Sequence, residues 1–420
     1  MKTRLKVGIV GGGVAGIVSA HLAAKNHDVT IFDKNSYLGG HTNTILIPSG
    51  PDAGTPVDTG FIVLNDQTYP HLHAFLDELK VPWRWSDMSF GFHSDLTGLN
   101  YAGTDLNGLF AHRANLLSPS FYKFLWEIKK FVDCALRDLE RGDLHGRTVG
   151  EFAKSYGLSE SFLRNYLFPM AAAIWSSPTE DIRIFPAHTL INFFKNHGLL
   201  SFTHRPRWQT VIGGSRSYVD AFIKVFPGKI NLGSEIKCIK RTAEGGEITL
   251  SDNSSQSFDL IVIAAHADQT LKLLENPTAR EKRLLAPWKY LDNHTLLHTD
   301  DSVMPPNRRA WASWNFREEI NFQSSSPVSM TYHMNRLQGL SSQNQYYVTL
   351  NTSLKLKDSA IIREFHYTHP GYSLASVATQ SELNATTFEN NIALAGSYFG
   401  YGFHEDAVKS ATRLKDAFKK

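Results

Sequence analysis

The sequence predicts an α/β protein: a Rossmann-like parallel sheet carrying a β-meander, joined to an α+β part with an antiparallel sheet and a helical insertion. Three observations predict it. The stretch VGIVGGGVAGIVSAHLAAKNHDVTIFD, from Val7 to Asp33, reads as strand, glycine turn, helix and strand. Residues 105–200 carry apolar residues spaced by threes and fours, as helices do. Residues 287–370 are rich in strand formers, tryptophan and tyrosine.

The first strand, with Val7, Ile9 and Val10, ends in G-x-G-x-x-G, which uses Gly11, Gly13 and Gly16. Gly11 permits the tight turn, Gly13 lets backbone approach a pyrophosphate, and Gly16 lets helix and strand pack closely. The helix N-terminus offers unpaired N–H groups and a positive dipole end to phosphates. Val14, Ile17, Val18 and Leu22 give that helix one apolar face. The second strand closes on Asp33, about 20 residues past the first glycine, where a carboxylate binds the adenosine ribose and disfavours a 2′-phosphate. The turn alone does not separate NAD from FAD.

Next come NSYLGGHTNT, a loop with Gly39-Gly40, and VDTGFIVLN, read as one short strand from Val57 to Asn65. Residues 70–80 read as helix, and KVPWRWSDMSFGF as extended chain. In the helical stretch Phe121, Leu125, Ile128, Val132, Ala135 and Leu139 form a stripe, with Trp126, Lys129 and Lys130 beside it. Such a stripe suits a core-packed helix or a membrane-surface helix. VIGGSRSYVDAFIKVF is a glycine turn and helix; INLGSEIKCIKR, GEITLSD and FDLIVIAA read as a meander. NIALAGSYFGYGFHEDAVKSATRLKDAF is strand, glycine-rich loop and helix. Nucleotide-binding pieces thus recur at the start, middle and end. A FAD domain interrupted by substrate segments explains that order; a continuous NAD module does not. The expected division is a discontinuous FAD-binding domain at 1–75, 205–272 and 386–420, a helical substrate or lid region at 76–204, and an antiparallel-sheet substrate domain at 273–385.

Composition bounds the function. A chain of 420 residues, 42% hydrophobic, can bury a sizeable core. A net charge of +3 without a basic stripe argues against nucleic acid. Two cysteines, Cys134 and Cys238, make neither a disulfide framework nor a metal site, which suits a reducing compartment. The histidines lack metal-site spacing, so no metal is expected. Without a long apolar run or room for a signal peptide, a cytoplasmic protein is expected, with contact at the inner membrane face left open. Oligomeric state is not readable.

Taken together, VDTGFIVLN, AAIWSS, FPAHTLINFFKNHGLL, RWQTVIGGSRSYV, HADQTL, TYHMNRLQGL and GYGFHEDAVKSA cover nearly the whole chain. They resemble the flavin amine oxidase superfamily, which includes protoporphyrinogen oxidase and phytoene desaturase, and within it a bacterial branch of predicted NAD/FAD-binding oxidoreductases. Relatives in that branch are often encoded beside relatives of cyclopropane-fatty-acid synthase, which implies an acyl-chain substrate. The resemblance implies FAD, with Gly11, Gly13, Ala15, Gly16, Asp33 and Lys34 on the ADP half and Gly39-Gly40 near the pyrophosphate. His41 stands where the superfamily usually has arginine. Ile236 falls in the segment that meets the adenine edge, and Ala264, with Ala265, ends the strand nearest the dinucleotide. Glu405, Asp406, Ala407 and Val408 match the turn beneath the flavin. Ser397 follows Gly396 where the family often has an acid. The loop from Ala395 to Asp406 has no cysteine, so the flavin is expected to be non-covalent. Trp175, Trp311, Trp314, Tyr332, His333, His369 and Tyr401 become candidate pocket residues through their matching segments. No catalytic side chain is assigned.

Three function classes fit these residues. One is a FAD-dependent dehydrogenase or desaturase acting on a hydrophobic, fatty-acyl-like chain by hydride transfer to flavin N5. Another is an amine oxidase acting on a small amine. The third is a non-catalytic flavin- or nucleotide-binding protein.

Overall fold

The computed structural model describes every residue except 1–3, 202, 204, 322 and 420. Its nucleotide-type sheet has six strands, in the order Lys229–Asn231, Asp28–Phe32 (β2), Lys6–Val10 (β1), Leu260–Ile263, Ile392–Leu394, Phe388–Glu389. All neighbours are parallel except the last pair. β1 is buried from Val7 to Val10, as a central parallel strand with both faces covered should be. One face carries the helix Val14–Ala23 (α1) and the C-terminal helix His404–Thr412, packed through Ile17, Ala20, Val408 and Ala411. The other face meets the meander through Phe32, Ile239, Ile248, Phe258 and Ile261.

The meander differs from its sequence reading. INLGSEIKCIKR is two strands. Gly233 adopts φ +64°, which reverses the chain between Lys229–Asn231 in the main sheet and Ile236–Arg241 in the meander. The meander continues through Gly246–Leu250 and Ser255–Phe258, and Leu260–Ile263 returns to the parallel sheet. VDTGFIVLN also splits, into Pro56–Asp58 and Leu64–Asn65. Between them Gly60 lies so close to His41 that a Cβ would stand 2.2 Å from its carbonyl oxygen. The chain there packs on a loop instead of continuing a ladder.

The second sheet has seven strands, in the order Ile361–Gly371, Lys289–His298, Tyr347–Leu350, Ser329–His333, Trp314–Glu318, Phe90–Ser94, Asn100–Ala102. Two of these strands come from the stretch 76–204, which also supplies Trp83–Trp85 to a three-stranded sheet with Leu64–Asn65 and Trp208–Val211. One of them, Phe90–Ser94, pairs parallel with Trp314–Glu318. The long helix Pro119–Arg141 starts with Ser118 accepting Phe121 N–H and stops at Gly142, φ +77°. Its stripe is core: Phe121, Val132 and Ala135 are buried, and Leu125, Ile128 and Leu139 pack beside them. That core runs without interruption from the helices through the second sheet to the aromatic loop at 398–403. Among the described residues, no helix is long and apolar enough to cross a membrane.

Candidate active site

The crevice is built around three glycines that differ in what surrounds them. Gly11 has φ +100°, and a Cβ there would lie 2.7 Å from the Ala264 carbonyl oxygen. At Gly16 a Cβ would fall 1.8 Å from the Gly11 oxygen. Gly13, just before α1, has open space: among the described residues nothing lies within 4 Å of where its Cβ would be. Gly39 bridges to Gly13 and donates to the Gly12 carbonyl at 2.8 Å, and a Cβ on Gly40 would stand 3.4 Å from the Gly13 Cα. Two bare loops and a helix N-terminus therefore line one hollow, which suits a pyrophosphate. Ala15 is buried in the first turn of α1. Asp33, 8% exposed, accepts Gly12 N–H at 2.6 Å and Asn35 N–H at 2.7 Å. Each of its oxygens keeps acceptor capacity for a ribose hydroxyl. Lys34 is exposed beside it. Ala264 is half-buried at the end of the strand next to β1, and Ile236 is half-buried at the start of the meander. These residues fit the ADP half of FAD.

The C-terminal loop follows the strand Ile392–Leu394, which pairs with Leu260–Ile263, and a Cβ on Gly396 would lie 3.7 Å from the Ala265 carbonyl oxygen. Gly396 N–H donates to Ser410 Oγ at 2.9 Å, and the Gly400 and Gly402 N–H groups donate to the Ser397 carbonyl. Ser397 is half-buried. Asp406 accepts Phe403 N–H at 3.0 Å and squares the start of the C-terminal helix; burial lifts its carboxyl to about 6. Ala407 and Val408 are buried. Glu405 points away from the hollow: its two oxygens accept the N–H groups of His71 and Leu72, each at 2.9 Å, at the start of the helix Pro70–Glu78. Burial raises Glu405 to about 7.

A group of imidazoles faces this region. The His41 ring lies 5.3 Å from His369, 6.4 Å from His266 and 5.0 Å from Tyr367, centroid to centroid. His266 stacks on Tyr290 at 4.3 Å. His404 stacks on Phe61 at 3.7 Å, and its Nε2 lies 2.9 Å from Thr42 Oγ1 and 3.2 Å from Tyr218 Oη. All four histidines are half-buried and all are pushed down, His41 to about 4 and the others to about 3, chiefly by desolvation.

The seven candidate pocket residues divide. Trp175 and Tyr401 stand together: the indole N–H donates to the Tyr401 carbonyl at 3.1 Å, and Phe193 packs on both rings. His369 belongs to the imidazole group. Trp314 and Tyr332 pair across two strands at 5.0 Å, half-buried, and Trp314 Nε1 is buried without a hydrogen-bond partner among the described residues. Trp311 and His333 lie elsewhere. Trp311 lines a separate polar hollow of about 330 Å³ with Asp301, Arg308 and Tyr347, and His333 packs against Trp311 and Tyr347. On the strand Ser329–His333, alternation turns His333 to the face opposite its neighbour Tyr332, and Trp311 sits on the turn after Arg308–Ala310, ahead of the strand that carries Trp314.

Sequence reasoning did not single out His266 and Asp58, although both lie in quoted motifs, HADQTL and VDTGFIVLN. Asp58 is fully buried and accepts from Thr44 Oγ1, from the N–H and hydroxyl of Ser215, and from Gln338 Nε2. It ties the strand Pro56–Asp58 to the helix Arg216–Val225. A lone acid in an apolar motif was the signal available.

Comparison with known proteins places this geometry. The family model for flavin-containing amine oxidoreductases matches residues 14–292. Wild-type putrescine oxidase bound to putrescine shares the fold at TM-score 0.71, 13% identity and 100% coverage of both chains. Cyclohexylamine oxidase from Brevibacterium oxydans gives 0.71 at 14% identity, again over 100% of both chains. A CLA-producing fatty acid isomerase from P. acnes gives 0.65 at 12% identity, over 99% of this chain and 98% of that one. A 49-residue stretch is 53% identical to cinnamate reductase from Clostridium sporogenes, covering 11% of this chain and 7% of that protein. With the Rossmann-like sheet, the open glycine hollow and the family match in agreement, the chain is a FAD-dependent oxidoreductase and belongs to the flavin-containing amine oxidoreductase family.

Proposed function

We propose that the protein oxidises a hydrophobic, fatty-acyl-like chain. Bound FAD supplies the hydride acceptor, flavin N5. In this reading Gly11, Gly13, Gly16, Asp33, Gly39 and Gly40 hold the ADP half non-covalently, and the N-terminus of the C-terminal helix faces the flavin. Segments 1–75, 205–272 and 386–420 form the cofactor domain, and the remaining two regions bind substrate. Trp175, Phe193, Tyr401 and Phe403 form an aromatic wall that excludes water and orients an apolar chain by shape.

One observation carries the substrate class: an apolar surface on the segment 106–126. Leu117 is 90% exposed and Leu106 75%, with Leu116, Tyr122 and Trp126 also exposed. Tyr122 Oη donates to the Leu116 carbonyl, and Lys130 sits over the Trp126 ring at 5.3 Å. Apolar side chains flanked by lysine suit a bilayer surface, each cation adding roughly 1 kcal/mol near anionic lipid. An acyl chain is met there. A small amine is the second reading, favoured by the fold shared with putrescine and cyclohexylamine oxidases.

Anaerobic mixing with unsaturated fatty acids and with small amines tests both. Bleaching of the yellow flavin by the acyl chain is expected; bleaching by amines alone overturns the proposal. Co-sedimentation should favour anionic over neutral vesicles, and Leu117→Ser with Trp126→Ser should reduce it. Equal neglect of both vesicle types would remove the membrane contact.

A further inference from the structure

We propose that His294, Glu364 and His366 bind one zinc-type divalent cation, which staples the edge strand Ile361–Gly371 to its neighbour Lys289–His298. The site lies on the opposite face of that edge strand from Tyr367 and His369, and the proposal stands whether or not FAD is bound.

Strand pairing brings the three residues together. His294 stands directly opposite His366, and Glu364 stands opposite Leu296, one diagonal step from His294. Side chains two apart on a strand share a face, so Glu364 and His366 project on one side, and His294 joins them from across the ladder. Tyr367 and His369 project on the other side, toward His41. The two imidazole rings are 5.3 Å apart, centroid to centroid. Both aim Nε2 at one carboxylate oxygen: Glu364 Oε1 lies 2.7 Å from His294 Nε2 and 3.8 Å from His366 Nε2. One ligand atom from each residue lies within 4.8 Å of the other two. A tetrahedral zinc with Zn–N bonds of about 2.0–2.1 Å needs them about 3.3 Å apart. Glu364 and His366 are exposed and His294 is half-buried, so side-chain rotation closes that gap without moving backbone.

The donor set selects the ion. Two imidazoles and a carboxylate suit zinc, copper(II) or nickel(II), whereas calcium and magnesium take oxygen ligands. Each imidazole ligates through Nε2 once its proton sits on Nδ1. Three protein ligands leave the fourth position of a tetrahedron to water. Without a cation the same residues make an exposed ion pair, which contributes little. With one, the cation bridges two strands where the sheet ends. The outer strand has eleven residues and no neighbour on its far side, and such an edge is prone to slip or to pair with another chain. Local sequence spacing does not announce this set, because His294 lies 70 residues before Glu364.

The test is calorimetric titration of untagged protein with zinc chloride in a non-chelating buffer, with amide hydrogen exchange measured before and after. Wild type should bind one zinc per chain in its tightest step, and exchange in Ile361–Gly371 should slow. His294→Ala, His366→Ala and Glu364→Gln should each weaken that step by at least about tenfold, with circular dichroism matching wild type. Replacing the other stacked imidazole pair, His145→Ala with His188→Ala, should leave it unchanged. No zinc binding by wild type overturns the site, as does binding undiminished in either His294→Ala or His366→Ala. Zinc bound through these residues without slower exchange overturns the staple.

Discussion

At Gly13 a hydrogen atom borders empty space, whereas at Gly11 and Gly16 it borders backbone. The two kinds of glycine should fail differently. Gly13→Val places its Cβ in open space, over 4 Å from other described atoms: the expected variant is folded by circular dichroism, with a melting curve close to wild-type apoprotein, and colourless. A folded Gly13→Val with full FAD content would show that the hollow is not the pyrophosphate site. Gly16→Ala forces a methyl into the Gly11 carbonyl and should lower stability by roughly 1–3 kcal/mol or more. The glycine signature was legible because Gly11 and Gly16 have a steric reason in the fold to lack a side chain, and Gly13 has one only toward a bound pyrophosphate. The imidazole group was not. His41, His266 and His369 are far apart in sequence, and nothing in their local spacing announces that a loop, a helix start and an edge strand will bring them together.

At the scale of elements, Glu405 joins two helices end to end. Its carboxylate caps Pro70–Glu78 while its backbone begins His404–Thr412. Removing the acceptor in Glu405→Ala leaves two backbone donors without their cap, an expected loss of about 1–2 kcal/mol. Glu405→Gln keeps one acceptor oxygen and removes the charge. The folded carboxyl titrates near 7 against 4.5 unfolded, so between these values the folded state binds more protons and wild type loses stability as pH rises. Urea midpoints of Glu405→Gln minus wild type should therefore increase from about pH 5 to about pH 7; a constant difference would mean the carboxylate stays charged. Elements themselves were legible where apolar periodicity was sustained, as in the stripe from Phe121 to Leu139, which lies within the helix Pro119–Arg141. What sequence pattern missed was the break at Gly233 and the partner of Phe90–Ser94, because a strand does not encode which strand it meets.

For the whole molecule, acid should be destabilising. His41, His197 and His298 are held near 4, and His266, His369 and His404 near 3, against 6.5 for a free imidazole. The unfolded chain binds those protons first, so each histidine contributes stability that grows as pH climbs from about 4 to about 6.5. Asp58 and Asp406, near 6, and Glu405, near 7, oppose this slope. The histidines outnumber them. The apoprotein's urea midpoint should rise from about pH 4.5 to about pH 6.5, and a flat or falling profile would place the imidazoles in water. The topology behind this burial was half legible: the recurrence of nucleotide-type pieces was visible, but not the mixing of strands from 90–102 into the sheet of 289–371.

The order of the six-stranded sheet also governs how the protein is made. Val262 sits beside Ala393, and α1 packs on the helix His404–Thr412, so the walls of the hollow are nearly four hundred residues apart in the chain. A ribosome delivers β1, β2 and Leu260–Ile263 long before their last neighbour. Until then Leu260–Ile263 is a bare apolar edge, open to pairing with another nascent chain. Cofactor capture must wait for the C-terminal helix, which makes assembly a late, slow step of high contact order. Overexpression faster than that step would be expected to yield inclusion bodies, and slower translation a yellow protein.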